Sequence, residues 1–418
     1  MGSVGPLAPD PSKQCQKPQH PPLHEVLPPL LLGTATFNYQ YVSDPLNPEV
    51  LPALSIVTRT LDLGISAFDT SPYYGPSEQI LGDALAHPSN AAKHPRDSYF
   101  LVTKAGRIGP AEFDYSPTWI RYSVYRSLER LRTSHLDLVY LHDAEFVTPQ
   151  EVLGAVAELR RLRDEEGVLR YVGISGYPVS TLCDLAALVQ TETKEPLDAV
   201  LSYGHFTIQN TTLSTSAVQR FEEAGVDVVL NASMLGMGLL TTRGADAGPM
   251  ASWHPSPEGL RKAVRSLVGL AQAEGEKLEV VAIRWAMDNW AREGASKGGS
   301  SSWLPKGTRA GVSVMGVATV AELEETYRVF RSVIEGYNPD ISSADRELAQ
   351  AHDWSLERRD KIQALVERMW DALGSWKDYS WSSPDPGFVN TKKPEEMGVV
   401  PRDDGIMEKY SKKQQQLR

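Results

Sequence analysis

The sequence predicts an α/β protein built as a single closed (β/α)8 TIM barrel with long rim loops. Two observations carry this. From about Leu30 onward, eight short apolar runs alternate with longer helical stretches. The runs are apolar almost throughout rather than at every second residue, which is the mark of parallel strands buried on both faces. Eight such units in roughly 300 residues suit a closed barrel better than an open doubly wound sheet. The chain of 418 residues exceeds the usual length of one domain, but barrels of this type are often long single units.

In order, residues 1–28 read as a disordered, proline-rich lead with no apolar core of the kind a signal peptide needs. The barrel is assigned to residues 29–374 and its strands to "LLLGTATF", "ISAFD", "YFLVTK", "LDLVYLH", "YVGIS", "LDAVLSY", "VDVVLNAS" and "VSVMGV". Between them lie amphipathic segments such as "TWIRYSVYRSLERLR" and "PQEVLGAVAELRRLRDEEG", the second stopping at a glycine, as helices commonly do. Two connections are longer than a barrel needs. "LGMGLLTTRGADAGPMASWHPSP" follows the seventh strand, at the rim where long loops act as lids. "WAREGASKGGSSSWLPKGTRAG" precedes the eighth strand, at the opposite rim, and reads as a tolerated insertion. Residues 375–418 turn polar and read as a weakly ordered tail.

Composition narrows the function. A net charge of -11 argues against a nucleic-acid partner, which would call for an excess of lysine and arginine. Two cysteines, Cys15 and Cys183, make neither a disulfide framework nor a cysteine-based metal cluster and fit a reducing, cytoplasmic compartment. No run of about 18 apolar residues is present to cross a membrane. No coiled-coil heptad decides between monomer and homodimer.

Chemistry in such a barrel collects where strands end at their C-terminal rim. The second strand ends at Asp69, with Tyr74 shortly after it; the third ends at Lys104 and the fourth at His142. Alone, each has an ordinary explanation: a capping aspartate, packing tyrosines, a surface lysine, a structural histidine. Together, on neighbouring strands, they make a proton-transfer device. A free tyrosine has a pKa near 10, too high for efficient exchange at neutral pH; a nearby ammonium lowers it, and a carboxylate holds that ammonium in place. A neutral histidine then orients the reacting oxygen. The device moves a proton on or off an alcohol or carbonyl oxygen, and hydride must come from a cofactor. No metal is expected, because no ligand pair shows a recognised spacing.

The motifs "FDTSPYYG", "VTKAG", "YLHD", "VGISG" and "GVATVAELEE" resemble the aldo-keto reductase superfamily over about Leu30 to Tyr337. "DTSPYYGPSEQILG", "GISGYP", "LSYGHFTIQN", "NASMLGMGLL" and "SWSSPDP" are similar to its NAD-dependent D-arabinose 1-dehydrogenase and L-galactose dehydrogenase group. The resemblance implies Asp69, Tyr74, Lys104 and His142 as catalytic tetrad, with Tyr74 as general acid–base. It also implies a dinucleotide along Gly33, Thr34 and Asp69; Ser175, Gly176 and Ser202; Asn231, Ala232, Ser233, Leu235 and Gly236; and Gly316, Val317, Ala318, Thr319, Glu322 and Glu325. Three positions depart from the wider family: Gly176 replaces a nicotinamide-binding asparagine, Ser202 a glutamine, and Ala232 a stacking aromatic. Glu322 stands where NADP-using relatives carry a phosphate-binding arginine, and Gly316 where they carry a basic residue, so the expected cofactor is NAD. The other reading of Glu322 is an ordinary acid on a helix surface.

The implied reaction is oxidation of an aldose at C1 to its lactone, with a D-arabinose-like sugar, L-galactose or L-fucose as substrate and a role in erythroascorbate or ascorbate formation. The alternatives are a broad-range NAD(P)H-dependent aldehyde or ketone reductase, and a nucleotide-binding regulatory barrel without turnover. Tyr74 and His142 would meet the substrate. Phe37, Tyr39, Tyr73 and Trp119 either line its pocket or pack the core, and Trp253 and His254 in the lid-like loop either contact ligand or pack that loop.

Overall fold

The computed structural model describes residues 20–335, 356–402 and 405. Eight parallel strands close into a barrel: β1 (Leu30–Gly33), β2 (Ala67–Asp69), β3 (Phe100–Ala105), β6 (Leu136–His142), β7 (Leu169–Gly176), β8 (Ala199–Tyr203), β9 (Val228–Ala232) and β10 (Val312–Gly316), with β1 pairing β10. A small antiparallel hairpin, β4 (Arg107–Gly109) and β5 (Glu112–Phe113), follows β3. Six of the eight barrel strands fall within their predicted runs; β3 runs one residue further, to Ala105, and β7 extends beyond "YVGIS" at both ends, from Leu169 to Gly176.

Local chemistry sets the helix ends. Ser116 accepts from the Trp119 amide and precedes Pro117 at the start of helix Pro117–Arg130. Thr148 and Glu151 form a reciprocal capping box on helix Pro149–Arg161. That segment runs on through one wide turn and stops at Gly167, whose φ of 66° suits glycine. In helix Ser77–Ala86 a Cβ on Gly82 would lie 2.2 Å from the Arg130 carbonyl oxygen, so glycine lets two helices touch there.

The barrel's two ends differ in chemistry. Its lower interior is apolar, with Leu31, Phe100, Val102, Leu138, Leu201, Leu230 and Val312 packed together. Leu23 and Leu27, both fully buried, join that cluster from the short helix Leu23–Val26 and plug the N-terminal end. Tyr171 donates from its hydroxyl to the Pro21 carbonyl at 2.6 Å, and the His24 amide donates to Asp227 at 3.0 Å. The lead is therefore ordered from His20 on, because two leucines among its prolines each gain about 1.5–3 kcal/mol by burial; residues 1–19 lie outside the described residues. The glycine- and serine-rich loop before β10 lies at this same end, with the Ser300 amide donating to the Leu27 carbonyl.

The tail also differs from its expectation. Residues after Ser375 arc along the C-terminal rim in reverse strand order. Gln209, after β8, donates to the carbonyls of Trp376 and Tyr379. Trp381 stacks on Tyr177, after β7, at 4.6 Å between ring centroids. Ser383 donates to Glu145, after β6, at 2.9 Å, and Phe388 packs edge-on against Phe113 and Phe146. Asn390 exchanges two hydrogen bonds with the Phe113 backbone. Sparse aromatic anchors order a segment that is polar on average. Residues 403–404 and 406–418 lie outside the described residues.

Candidate active site

The C-terminal rim holds the polar strand ends. Lys104, at the end of β3, donates through Nζ to Asp69 Oδ1 at 2.6 Å and to the Thr70 carbonyl at 2.9 Å. Both partners of this ion pair are buried, with side chains 2% and 5% exposed. The Lys104 ammonium lies 4.9 Å from the centroid of the Tyr74 ring. His142, ending β6, meets Tyr74 edge-on at 5.7 Å, and its Nδ1 pairs with Ser71 Oγ at 3.0 Å. Tyr115 fixes the same strand end by donating to the His142 carbonyl at 2.7 Å. With Nδ1 engaged by Ser71, Nε2 is the nitrogen left to face a ligand.

The electrostatics depart from one expectation. Tyr74 is pushed well above its usual pKa rather than lowered: burial dominates, and the charges of Asp69 and Asp143 add to it against Arg107. The Lys104 charge is already matched by Asp69 in a direct ion pair. His142 is driven well below its usual value by burial, then by the charges of Lys104 and Arg107, and is a neutral imidazole at pH 7. Asp69 is raised by burial, opposed by Lys104.

The remaining predicted positions fall on the same rim. Strand register sets Gly176 beside Ser202, and Ser202 beside Asn231, in one row across β7, β8 and β9. Gly33 pairs Asp69 on one side and Gly316 on the other. Thr34 is buried and donates to the Asp69 carbonyl, and Ser175 donates to the Leu141 carbonyl at 3.3 Å. Asn231 donates to the Phe206 carbonyl while its Oδ1 is buried with no hydrogen-bond partner among the described residues. Ala232 is partly buried; Ser233 and Gly236 both take left-handed turns, and Leu235 lies between them. Gly316 is exposed, and Val317, beneath it, accepts from Thr36 Oγ1. Helix Val320–Glu335 follows. There Thr319 accepts from the Glu322 amide, while the Glu322 carboxylate accepts from the Ala318 N–H at 2.7 Å; Glu325 is exposed.

Of the proposed pocket aromatics, only Tyr73 joins the tetrad, 5.7 Å from His142 between ring centroids. Phe37 is fully buried in the main apolar cluster and Tyr39 is exposed. Trp119 sits on the outer helix beneath Lys392. Trp253 and His254 pack loop on loop: Trp253 donates to the Gln40 carbonyl, and His254 Nε2 bonds the Gly236 carbonyl at 2.9 Å.

Sequence reasoning missed Arg107, Asp143 and Glu145. Arg107 pairs with Asp143 and stacks on Tyr73, its guanidinium 3.9 Å from the ring centroid. Glu145 accepts from the Tyr177 amide and from Ser383, and burial, reinforced by Asp143, pushes its carboxyl up to about 8. A Cβ on Gly176 would lie 2.2 Å from Glu145 Oε2. The glycine thus makes room for this carboxyl. The signal in sequence was the acidic pair straight after His142, in "YLHDAEF".

The rim also predicts a pH response. His205 lies between Ser202 and Ser380, and burial lowers its pKa from 6.5 to about 4. Above pH 6.5 it is neutral folded or unfolded. Between pH 6.5 and 4 only the unfolded chain binds the proton, so stability falls as pH drops, by about 3 kcal/mol at pH 4. Thermal unfolding of His205→Asn should show a flatter decline over this window; an identical slope would remove His205 as its source.

A nicotinamide dinucleotide fits these residues. Ser202 and Asn231, side by side in register, with Ser175 just before Gly176, offer uncharged donors and acceptors for an amide, including the buried Asn231 oxygen, and the 16-residue helix offers an N-terminus beside exposed Gly316. Among the described residues no three histidine, cysteine, aspartate or glutamate side chains cluster to hold a metal, and no helix is long and apolar enough to cross a membrane.

Comparison with known proteins agrees with this geometry. The sequence pattern of the aldo/keto reductase family matches residues 29–338. A D-arabinose 1-dehydrogenase of Saccharomyces cerevisiae is 42% identical over 276 residues, 66% of this chain and 79% of that protein. An L-galactose dehydrogenase of Arabidopsis thaliana is 34% identical over 240 residues, 57% of this chain and 70% of that one. Among solved structures, a glycerol dehydrogenase from Gluconobacter oxydans superposes with a TM-score of 0.54 at 21% identity, over 90% of this chain and 99% of that one, which speaks to the fold alone.

Proposed function

Since the chain belongs to the aldo/keto reductase family, we propose that it oxidises an aldose at C1 to the lactone, with NAD as hydride acceptor. The observation that carries this is the convergence of the Tyr74 phenol, the Lys104–Asp69 pair and the neutral His142 on one rim. The names of the two sugar dehydrogenase relatives support a D-arabinose-like or L-galactose-like substrate, whose lactone would feed an ascorbate-type synthesis. The low cysteine content supports a cytoplasmic setting.

A bound nicotinamide would supply the hydride acceptor for the sugar's C1. Ser175, Ser202 and Asn231 would hold its carboxamide, and the start of helix Val320–Glu335 its adenosine end. His142, neutral, donates from Nε2 to the reacting oxygen and fixes its direction. Tyr74 takes the hydroxyl proton. Lys104, tethered by Asp69, keeps a positive charge beside the phenol as it ionises. Because burial holds Tyr74 protonated, the phenolate fraction grows as pH rises, so aldose oxidation speeds up with pH and carbonyl reduction slows. That same neutral phenol favours a second reading, carbonyl reduction, since it is the form that donates a proton.

The assay that tests the proposal is NAD reduction with a panel of aldoses. Turnover with no aldose, alongside ready reduction of simple aldehydes, would replace the first reading by the second. Cofactor choice is tested separately. Glu322 repels a 2′-phosphate from the helix start, so Glu322→Arg should raise the NADP/NAD ratio of kcat/KM by about tenfold or more. An unchanged ratio would leave Glu322 with its local hydrogen bond only.

A further inference from the structure

An aldose differs from a simple aldehyde by its hydroxyls, and apolar walls cannot read those; buried polar groups must. The tetrad accounts for one oxygen, the one that reacts. Beside it lies a second polar unit that the proton-transfer scheme does not use. Asp143 follows His142 directly and adopts the left-handed conformation, φ 55°, which a residue with a side chain adopts at a small cost in strain. That turn directs its carboxylate back to the site, with Oδ2 3.9 Å from His142 Nε2. Asp143 is 1% exposed, one oxygen is bound by Arg107, and the other, Oδ1, is buried with no partner among the described residues. A buried carboxylate oxygen left unpaired is costly, and its presence next to a reacting centre calls for a donor from outside the chain. Arg107 completes the unit. Its guanidinium lies over Tyr73, donates to the Tyr73 hydroxyl at 3.2 Å, and keeps part of its surface open.

We propose that the Asp143–Arg107 pair recognises the hydroxyl on the carbon next to the one oxidised: Asp143 Oδ1 accepts its hydrogen bond and the guanidinium donates to its oxygen. The inference rests on the aldose dehydrogenase reading and names the feature of the substrate that the site selects. Asp143 Oδ2, the oxygen held by Arg107, lies 3.9 Å from His142 Nε2, which sets the carboxylate within reach of an oxygen on the carbon adjacent to the reacting one. Tyr73 serves as the platform that holds Arg107 in register. The ligand class is a vicinal diol in which the first oxygen reacts and the second is read.

The test compares D-arabinose with its 2-deoxy counterpart. Wild-type enzyme should prefer the full sugar by about 100-fold in kcat/KM, because the deoxy compound leaves the carboxylate unpaired. Asp143→Asn removes the charged acceptor, and the double variant Asp143→Asn with Arg107→Gln removes the pair without stranding a buried cation. In both, the preference should collapse to within several-fold, mostly through KM, while NAD binding measured by tryptophan fluorescence confirms a folded site. A wild-type enzyme that oxidises both sugars equally well overturns the inference without any variant and leaves the dehydrogenase reading intact. A double variant that binds NAD and keeps the full preference overturns it as well. Failure of the wild type to oxidise any aldose removes the underlying reading itself.

Discussion

Replacing Tyr74 by phenylalanine is expected to lower kcat/KM for aldose oxidation by about 10³–10⁴-fold, the span that a positioned general acid–base supplies at its upper end. The substitution removes one hydroxyl and keeps the ring. The edge-on contact with His142 and the Lys104 ammonium over the ring face both survive it. Burial of that hydroxyl without a charge partner of its own is what raises its pKa, so the fold should lose little and NAD affinity should not change. Steady-state kinetics and a fluorescence titration of NAD separate the two. Turnover of Tyr74→Phe at the wild-type rate would show that the proton leaves by another route.

The second large effect concerns stability as well as rate. Lys104→Met deletes the cation and strands the Asp69 carboxylate, whose Oδ2 already lacks a hydrogen-bond partner among the described residues. Breaking a buried pair from one side costs about 3–5 kcal/mol, whereas replacing both partners by groups of similar volume is close to neutral. Lys104→Met should therefore melt well below wild type, and Asp69→Asn combined with Lys104→Met should regain most of the loss. Activity should not follow: both variants lack the ammonium beside Tyr74 and both should be slow by at least about 100-fold. If the double variant recovers turnover together with its melting temperature, the pair serves the fold and not the proton.

Most of the barrel was legible because its strands obey one simple rule. Runs such as "LDLVYLH" and "YVGIS" are apolar almost throughout, with no strict alternation, a pattern that a strand covered on both faces sustains. The tetrad was legible for a related reason: Asp69, Lys104 and His142 interrupt apolar strands at the end where a polar side chain has no packing role. What stayed hidden depends on contacts between distant segments. Arg107 and Asp143 are 36 residues apart, and nothing local in "GRIGP" or "HDAEF" says that they pair. Gly176 reads in sequence as a replaced asparagine, whereas in the fold a Cβ there would collide with the Glu145 carboxyl. Trp376, Trp381 and Phe388 are too widely spaced to make a period, yet each meets a different loop, at Gln209, Tyr177 and Phe146 in turn. The direction of the Tyr74 shift was misjudged because the sequence displays the neighbouring charge and not the depth of burial that outweighs it.

The arc of chain from Trp376 to Gly398 has a consequence for how the enzyme matures. Synthesis proceeds from the N-terminus, and the arc follows β10, the strand that closes the barrel against β1, so every barrel strand is made before it. Until it emerges, the loops bearing Glu145, Tyr177 and Gln209 have no clasp, so the nascent product is a sealed cylinder with an unfinished mouth. A chain stopped short of the arc would keep every strand pairing of the barrel and leave these loops unclasped.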